Sequence, residues 1–95
     1  MRTYIFMRRD LKMRRGKEIA QACHAVLGLG VEDQATVTLQ ATGERDLELV
    51  TALAREKGWP CYSVRDAGRT EVEPGTVTCT AISAPEGTFE AFALY

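Results

Sequence analysis

Metal-binding, disulfide and membrane chemistry have little to work with in this sequence. A single histidine, His24, among 95 residues excludes a histidine-rich metal cluster, although carboxylates could still hold a magnesium ion. The three cysteines, Cys23, Cys61 and Cys79, are odd in number, far apart and without CxxC spacing. They indicate neither a disulfide framework nor a zinc site, and all three are expected in the core. No metal or other cofactor is therefore expected. No run approaches the ~20 apolar residues that cross a bilayer, and no membrane association is expected. Arg8 and Arg9 interrupt the apolar run from Tyr4 to Met7, so the N-terminus lacks a secretory core. A cytoplasmic setting follows by default.

What is present is an ordinary globular balance, 45% hydrophobic and 26% charged, in a chain with room for one domain over 1–95. A domain this small buries limited apolar surface, and association with a second copy would bury more. The net charge is −1, but its distribution is lopsided. Arg2, Arg8, Arg9, Lys12, Arg14, Arg15 and Lys17 precede residue 18 against one acid, Asp10, whereas the remainder holds five cations and twelve acids. Charge alone leaves two readings open, a solvated basic loop or a phosphate-binding patch.

Hydrophobic periodicity divides the chain into alternating elements. Thr3 to Met7 reads as a strand with apolar residues on both faces, hence central and covered twice. Asp10 to Gly16 is the loop leaving it. From Lys17 to about Leu27 the pattern is helical, with Ile19, Cys23, Val26 and Leu27 on the face expected to be buried. Lys17, Gln21 and His24 form a polar stripe on another face, and Gly28 and Gly30 end the helix. Ala35 to Gln40 alternates as a half-exposed strand. Thr42 is the expected N-cap of a second helix that buries Leu47, Val50, Leu53 and Ala54 and stops at Gly58. Trp59 to Val64 and Thr76 to Ile82 read as strands, separated by a loop and the Pro74-Gly75 turn. The tail from Glu86 to Tyr95 is too short and mixed to assign. The order β-α-β-α-β-β predicts an α/β domain: one four-stranded mixed sheet with helices packed on it.

Two loops carry residues that chemistry could use. Asp10 to Lys17 is a basic, glycine-containing turn running into a helix N-terminus, where N–H groups and the helix dipole favour anions. Its spacing is not that of a P-loop. Asp66-Ala67-Gly68-Arg69-Thr70 sets an acid and a base around a glycine, which read alone is equally a turn held by its own side-chain hydrogen bonds.

With their flanks, both loops resemble the type 2 (archaeal and eukaryotic) peptidyl-tRNA hydrolases. The first block is Arg8-Arg9-Asp10-Leu11-Lys12-Met13-Arg14-Arg15-Gly16-Lys17, continuing through Ala20-Gln21 to His24-Ala25. The second is Asp66-Ala67-Gly68-Arg69-Thr70 followed by Pro74-Gly75-Thr76 and Thr78. The closing Leu94-Tyr95 is similar to the family's ending. Compared with that family, the segment between His24 and the second strand is short by a helix, the final helix is trimmed, and Arg14 and Arg15 stand where glycine and lysine are more usual.

The resemblance implies hydrolysis of the ester in peptidyl-tRNA, releasing tRNA and peptide by direct attack of water. It places Lys17, Asp66 and Thr78 at the site. Asp66 would orient or deprotonate the water. Lys17 would stabilise charge on the ester oxygen or hold the terminal phosphate. Thr78 would position water or the substrate carbonyl. His24 is either a general base or a helix residue hydrogen-bonded at the core boundary. Gln21 is expected to orient substrate, Arg69 to pair with Asp66 or with an RNA phosphate, and Thr70 to contact substrate. Arg8, Arg14 and Arg15 are expected on the tRNA backbone. Peptidyl-tRNA is the implied partner and a homodimer the implied assembly. Two rival classes stand beside this one: a non-catalytic RNA-binding module that kept the fold, and a protein-interaction domain indifferent to RNA.

Overall fold

Strand β1 (Arg2–Arg8) is apolar on both faces and runs through the middle of the sheet. The structure, a computed structural model, describes residues 1–68 and 72–95. After β1 come α1 (Arg15–Leu29), β2 (Thr36–Ala41), α2 (Glu44–Lys57), β3 (Cys61–Arg65) and β4 (Val77–Ala84). The sheet order is β2-β1-β4-β3, with β1 parallel to β2 and the other two pairings antiparallel. This is the mixed α/β sheet and the element order expected from the sequence.

Alternation along β1 divides the core in two. Tyr4 and Phe6 face α2, where they pack with Leu39, Leu47, Val50, Ala54 and Ile82. Ile5 and Met7 face α1, with Met13, Ala25, Val64, Cys79 and Ala81. The buried stripe of α2 is the one the sequence predicts, and the helix stops at Gly58 in the left-handed conformation, φ 72°. Its start differs by one residue: Gly43 is the N-cap. Thr42 does not cap the helix; its N–H and hydroxyl both donate to Asp46 Oδ2, at 2.7 and 2.8 Å.

Helix α1 is rotated from the phase its hydrophobic residues suggest. Ile19 is 57% exposed, Leu27 80% exposed, and Cys23 also lies on the outside, while Gln21 and Ala25 are buried. Of the residues read as the apolar face Val26 does pack against the core, while the stripe read as polar turns Gln21 inward and leaves His24 exposed at its edge. The reason lies at the edge strand β3, where the Asp66 carboxylate requires donors that only this face supplies.

The tail left unassigned from sequence completes the α2 side. Phe89 sets its ring edge-on to Phe6 at 4.8 Å and to Tyr4 at 5.1 Å, and Phe92 packs on Phe6 at 5.1 Å. Beyond it the chain runs along the outer edge of β2: Gln40 N–H donates to the Ala93 carbonyl at 2.8 Å and Tyr95 N–H to the Thr38 carbonyl at 2.9 Å. The tail thereby covers an edge that would otherwise present unpaired backbone groups.

Phe6 is fully buried at the centre of this aromatic cluster. Phe6→Ala should cost about 3–5 kcal/mol, a large share of the ~5–15 kcal/mol that holds such a domain together. Thermal denaturation should show a fall in Tm of more than about 10 °C. A fall of only a few degrees would mean that the tail does not hold this cluster in solution.

Candidate active site

The basic loop after β1 is anchored from below. The Arg8 guanidinium turns inward, donating from Nε and Nη2 to Asp10 Oδ1 and Oδ2 at 3.0 and 2.6 Å and from Nη1 to the Val77 carbonyl at 3.1 Å. This two-pronged bond raises the Arg8 pKa and holds the Asp10 carboxyl below the ordinary carboxylate value. Met13 drops into the α1-side core as a second anchor. Around these anchors Arg9, Lys12, Arg14 and Arg15 remain at the surface, with Lys12 in a left-handed turn at φ 52°. Arg14 occupies the N-cap of α1 and carries no side-chain cap bond. The loop is thus a rigid mount for cations directly above a helix N-terminus.

One turn into α1 the chain meets the loop after β3. Lys17 Nζ forms an ion pair with Asp66 Oδ2, and Gln21 Nε2 donates to the same oxygen at 2.8 Å. The Gly68 N–H donates to Oδ1 at 2.6 Å. The aspartate's own backbone is tied to the turn before β4, its N–H to the Thr76 carbonyl at 2.8 Å and its carbonyl to the Gly75 N–H at 2.7 Å. Gly68 has φ 78°, and a Cβ there would stand 2.6 Å from the Pro74 nitrogen, so the loop closes only with glycine at that position.

Asp66 is 5% exposed, and burial alone would push its carboxyl up. The hydrogen bond from Lys17, followed by that from the Gly68 N–H, outweighs burial and holds the pKa below the ordinary value. Asp66 is therefore ionised, and a poor proton acceptor. A carboxylate has about four lone-pair sites. Among the described residues three are taken, by Lys17, Gln21 and Gly68, which leaves one on Oδ1. Such a group is suited to orienting a water molecule.

The other expected residues lie around this cluster at different distances. Thr78 is fully buried at the irregularity between β3 and β4, where Val64 pairs with Cys79 and Arg65 with Val77. Its hydroxyl makes a long 4.0 Å contact with Cys79 Sγ and is not on the Asp66 carboxylate. Cys79 itself donates to the Gln21 carbonyl at 3.4 Å, and burial pushes its thiol up to about 11, so it remains protonated and structural. His24 is exposed on the same face of α1, one turn beyond Gln21, with its ring beside Tyr62 (6.1 Å between centroids). Arg69 and Thr70 lie outside the described residues. Two participants escaped the sequence reading: the Gly68 N–H that holds Asp66, and Tyr62 beside His24. The alternation 62, 64, 66 on β3 and its continuation was the available signal for Tyr62.

Residues 1–92 match the family model described as "Peptidyl-tRNA hydrolase PTH2". The chain belongs to the type 2 peptidyl-tRNA hydrolase family. Among its relatives, the peptidyl-tRNA hydrolase of Methanopyrus kandleri is 41% identical over 92 residues, covering 82% of this chain and 79% of that protein. Those of Haloquadratum walsbyi and Methanocaldococcus jannaschii are 41% and 34% identical, each match covering 86% of this chain and 84% of the relative. Since 82% of 95 residues is about 78, some of the 92 positions matched in the Methanopyrus protein fall opposite gaps, and this member of the family is internally shorter. Among the described residues, no helix is long and apolar enough to cross a membrane, and no three His, Cys, Asp or Glu side chains form a metal-ligand group.

The lowered Asp66 pKa makes a stability prediction with a definite sign. Its contribution is present above the unfolded carboxylate value and is lost as pH falls through the lower folded value. Asp66→Asn removes the titration and leaves Lys17 without this counter-charge. The Tm gap between wild type and variant should be widest near about pH 7 and should close as pH falls through and below the ordinary carboxylate range. Asp10 titrates in both proteins and cancels in the difference. A gap unchanged down to about pH 2 would contradict the ion pair.

Proposed function

We propose that this chain hydrolyses the ester between peptide and tRNA at the Lys17–Asp66–Gln21 cluster, with no covalent enzyme intermediate. The observation that carries this reading is a buried carboxylate held by Lys17, Gln21 and the Gly68 N–H, which among the described residues leave one acceptor position on Oδ1, below a mount of exposed cations. In the proposed reaction a water donates one hydrogen bond to Asp66 Oδ1 and attacks the ester carbonyl. Charge grows on the carbonyl oxygen, and the Lys17 ammonium, kept in place by Asp66, stabilises it. The C–O bond to the terminal ribose breaks, and the ribose oxygen leaves with a proton derived from the water. Gln21 orients the carboxylate, and Thr78, buried beside Cys79, supports the site from beneath. His24, outside the direct contacts of Asp66, is best placed to relay the proton or to hold the ribose. Arg69 and Thr70 are proposed to contact the substrate.

The polyanionic tRNA is drawn to the N-terminal pole. Arg14 and Arg15 meet the backbone phosphates, with Arg8 behind them bracing the loop through Asp10. Translation supplies the substrate, so the proposed place of action is the cytoplasm and the proposed role is recovery of tRNA from stalled peptides. A homodimer accompanies this reading. Its support is the apolar surface where Ile19, Leu94 and Tyr95 line one cleft, with Leu27 exposed further along the same helix.

The deciding experiment is hydrolysis of a labelled peptidyl-tRNA by the purified protein beside Asp66→Ala. Wild type should release tRNA, and the variant should lose at least about a hundredfold in kcat while retaining tRNA binding in a gel-shift assay. Release by neither protein, with circular dichroism confirming folding, would sink the enzyme and favour the RNA-binding rival. Neutralising Arg14 and Arg15 together should raise KM and flatten the dependence of log affinity on log salt by about two. An unchanged salt slope would remove both residues from the RNA contact. In sedimentation velocity the wild type should run as a dimer and Leu27→Lys as a monomer; a monomeric wild type at tens of micromolar, on the order of ordinary assay concentrations, would exclude the dimer.

A further inference from the structure

Four residues recur along one face of α1 at spacings of four, three and four: Lys17, Gln21, His24 and Gly28. The first two engage Asp66, and the last two meet Tyr62. Tyr62 lies on the edge strand β3, on the same face as Val64 and Asp66, and is 37% exposed. Its ring lies so close to Gly28 that a Cβ there would stand 2.3 Å from the ring carbons. The His24 ring flanks it at 6.1 Å with a 45° tilt. Two exposed rings thus stand side by side on the helix and strand that carry the Lys17–Asp66 pair.

We propose that Tyr62, set against Gly28 and flanked by His24, is a stacking platform for an unpaired nucleobase of the tRNA 3′ end. The inference rests on the hydrolase reading above and adds a substrate-binding subsite to it. Three physical points carry it. A rigid exposed aromatic is the group that binds single-stranded RNA bases without reading their sequence, as a substrate shared by all tRNAs requires. His24 lies seven residues along the helix from Lys17, a rise of about 10 Å, which puts the rings within reach of the nucleoside of an ester seated at the cluster. Packing on Gly28 fixes the ring before substrate arrives, which reduces the entropy lost on stacking. The side chain of the esterified amino acid is the competing occupant, and a purely structural tyrosine the competing role.

The test has two readouts. The first is binding, by fluorescence anisotropy, of a short single-stranded RNA with the tRNA 3′-terminal sequence, which requires no turnover. Tyr62→Ala should weaken it roughly tenfold, toward the lower end of what loss of a base–aromatic stack costs, and Tyr62→Trp should restore it. Gly28→Ala, a change that favours the helix itself, should weaken binding by displacing the ring. The second is the kinetics of peptidyl-tRNA hydrolysis: Tyr62→Ala should raise KM by a similar factor with kcat within about twofold, and the penalty should vanish on a substrate whose terminal sugars carry no base. Unchanged RNA binding in Tyr62→Ala, or the same penalty with and without the base, would overturn the platform. A penalty that instead follows the identity of the amino acid would assign Tyr62 to the peptide side and overturn it as well. If the wild type binds the RNA through Tyr62 but does not hydrolyse peptidyl-tRNA, the platform stands and the hydrolase reading falls.

Discussion

Asp66 is a buried carboxylate that three stretches of chain must satisfy at once. Removing such a group from water costs several kcal/mol unless it is paired and its lone pairs are filled. Lys17 and Gln21 come from one helix, and the Gly68 N–H from a loop that only glycine can close. The aspartate's own peptide groups are held by Gly75 and Thr76 in the turn before β4. None of these positions can shift without leaving a charge uncompensated in the interior. The pair therefore fixes the rotation of α1 on the sheet, the shape of the loop after β3, and the place where the basic loop before α1 must lie.

That constraint explains why the sequence reads clearly in some elements and misleads in one. In β1 and α2 nothing opposes hydrophobic burial, so Tyr4, Ile5, Phe6 and Met7 announce a strand covered twice, and Leu47, Val50 and Ala54 announce the inner face of the helix. In α1 the demand of Asp66 for donors overrides the apolar count. Gln21 goes in, Ile19 and Leu27 go out, Val26 alone of the expected face keeps its place on the core, and periodicity misses the phase because it weighs a leucine but not a partner 45 residues away. The tail was illegible for another reason. Phe89 and Phe92 belong to turns without a period, and only the finished α2-side core shows that they fill it. The two loops were legible as chemistry, since their residue types stand in contiguous blocks. Arg8 looked like one more cation of the pole, and nothing local shows that Asp10, two residues on, takes its guanidinium.

The outward turn of Ile19 and Leu27 leaves an apolar strip that a chain of 95 residues can ill spare. The strip is a consequence of the site, because placing Lys17 and Gln21 against the sheet sends the opposite face of the same helix to the surface. In this fold, the exposed apolar face of α1 and the arrangement of the cluster have one origin.

The electrostatics follow the same logic. A helix N-terminus carries a partial positive charge, and cations placed there work against stability. Here Arg14, Arg15 and Lys17 crowd the first turn of α1, while Glu18 is the one acid in it. A locally unfavourable arrangement that persists at the mouth of a buried ion pair is explained by a ligand whose charge relieves it. Nucleic-acid phosphate, the ligand proposed above, would do so, and the relief would become binding energy. The acid-rich remainder of the molecule would add direction by repelling such a polyanion. A net charge near zero thus conceals an oriented field, positive over the cluster that would receive the end of the strand and negative over the surfaces that would trap it unproductively.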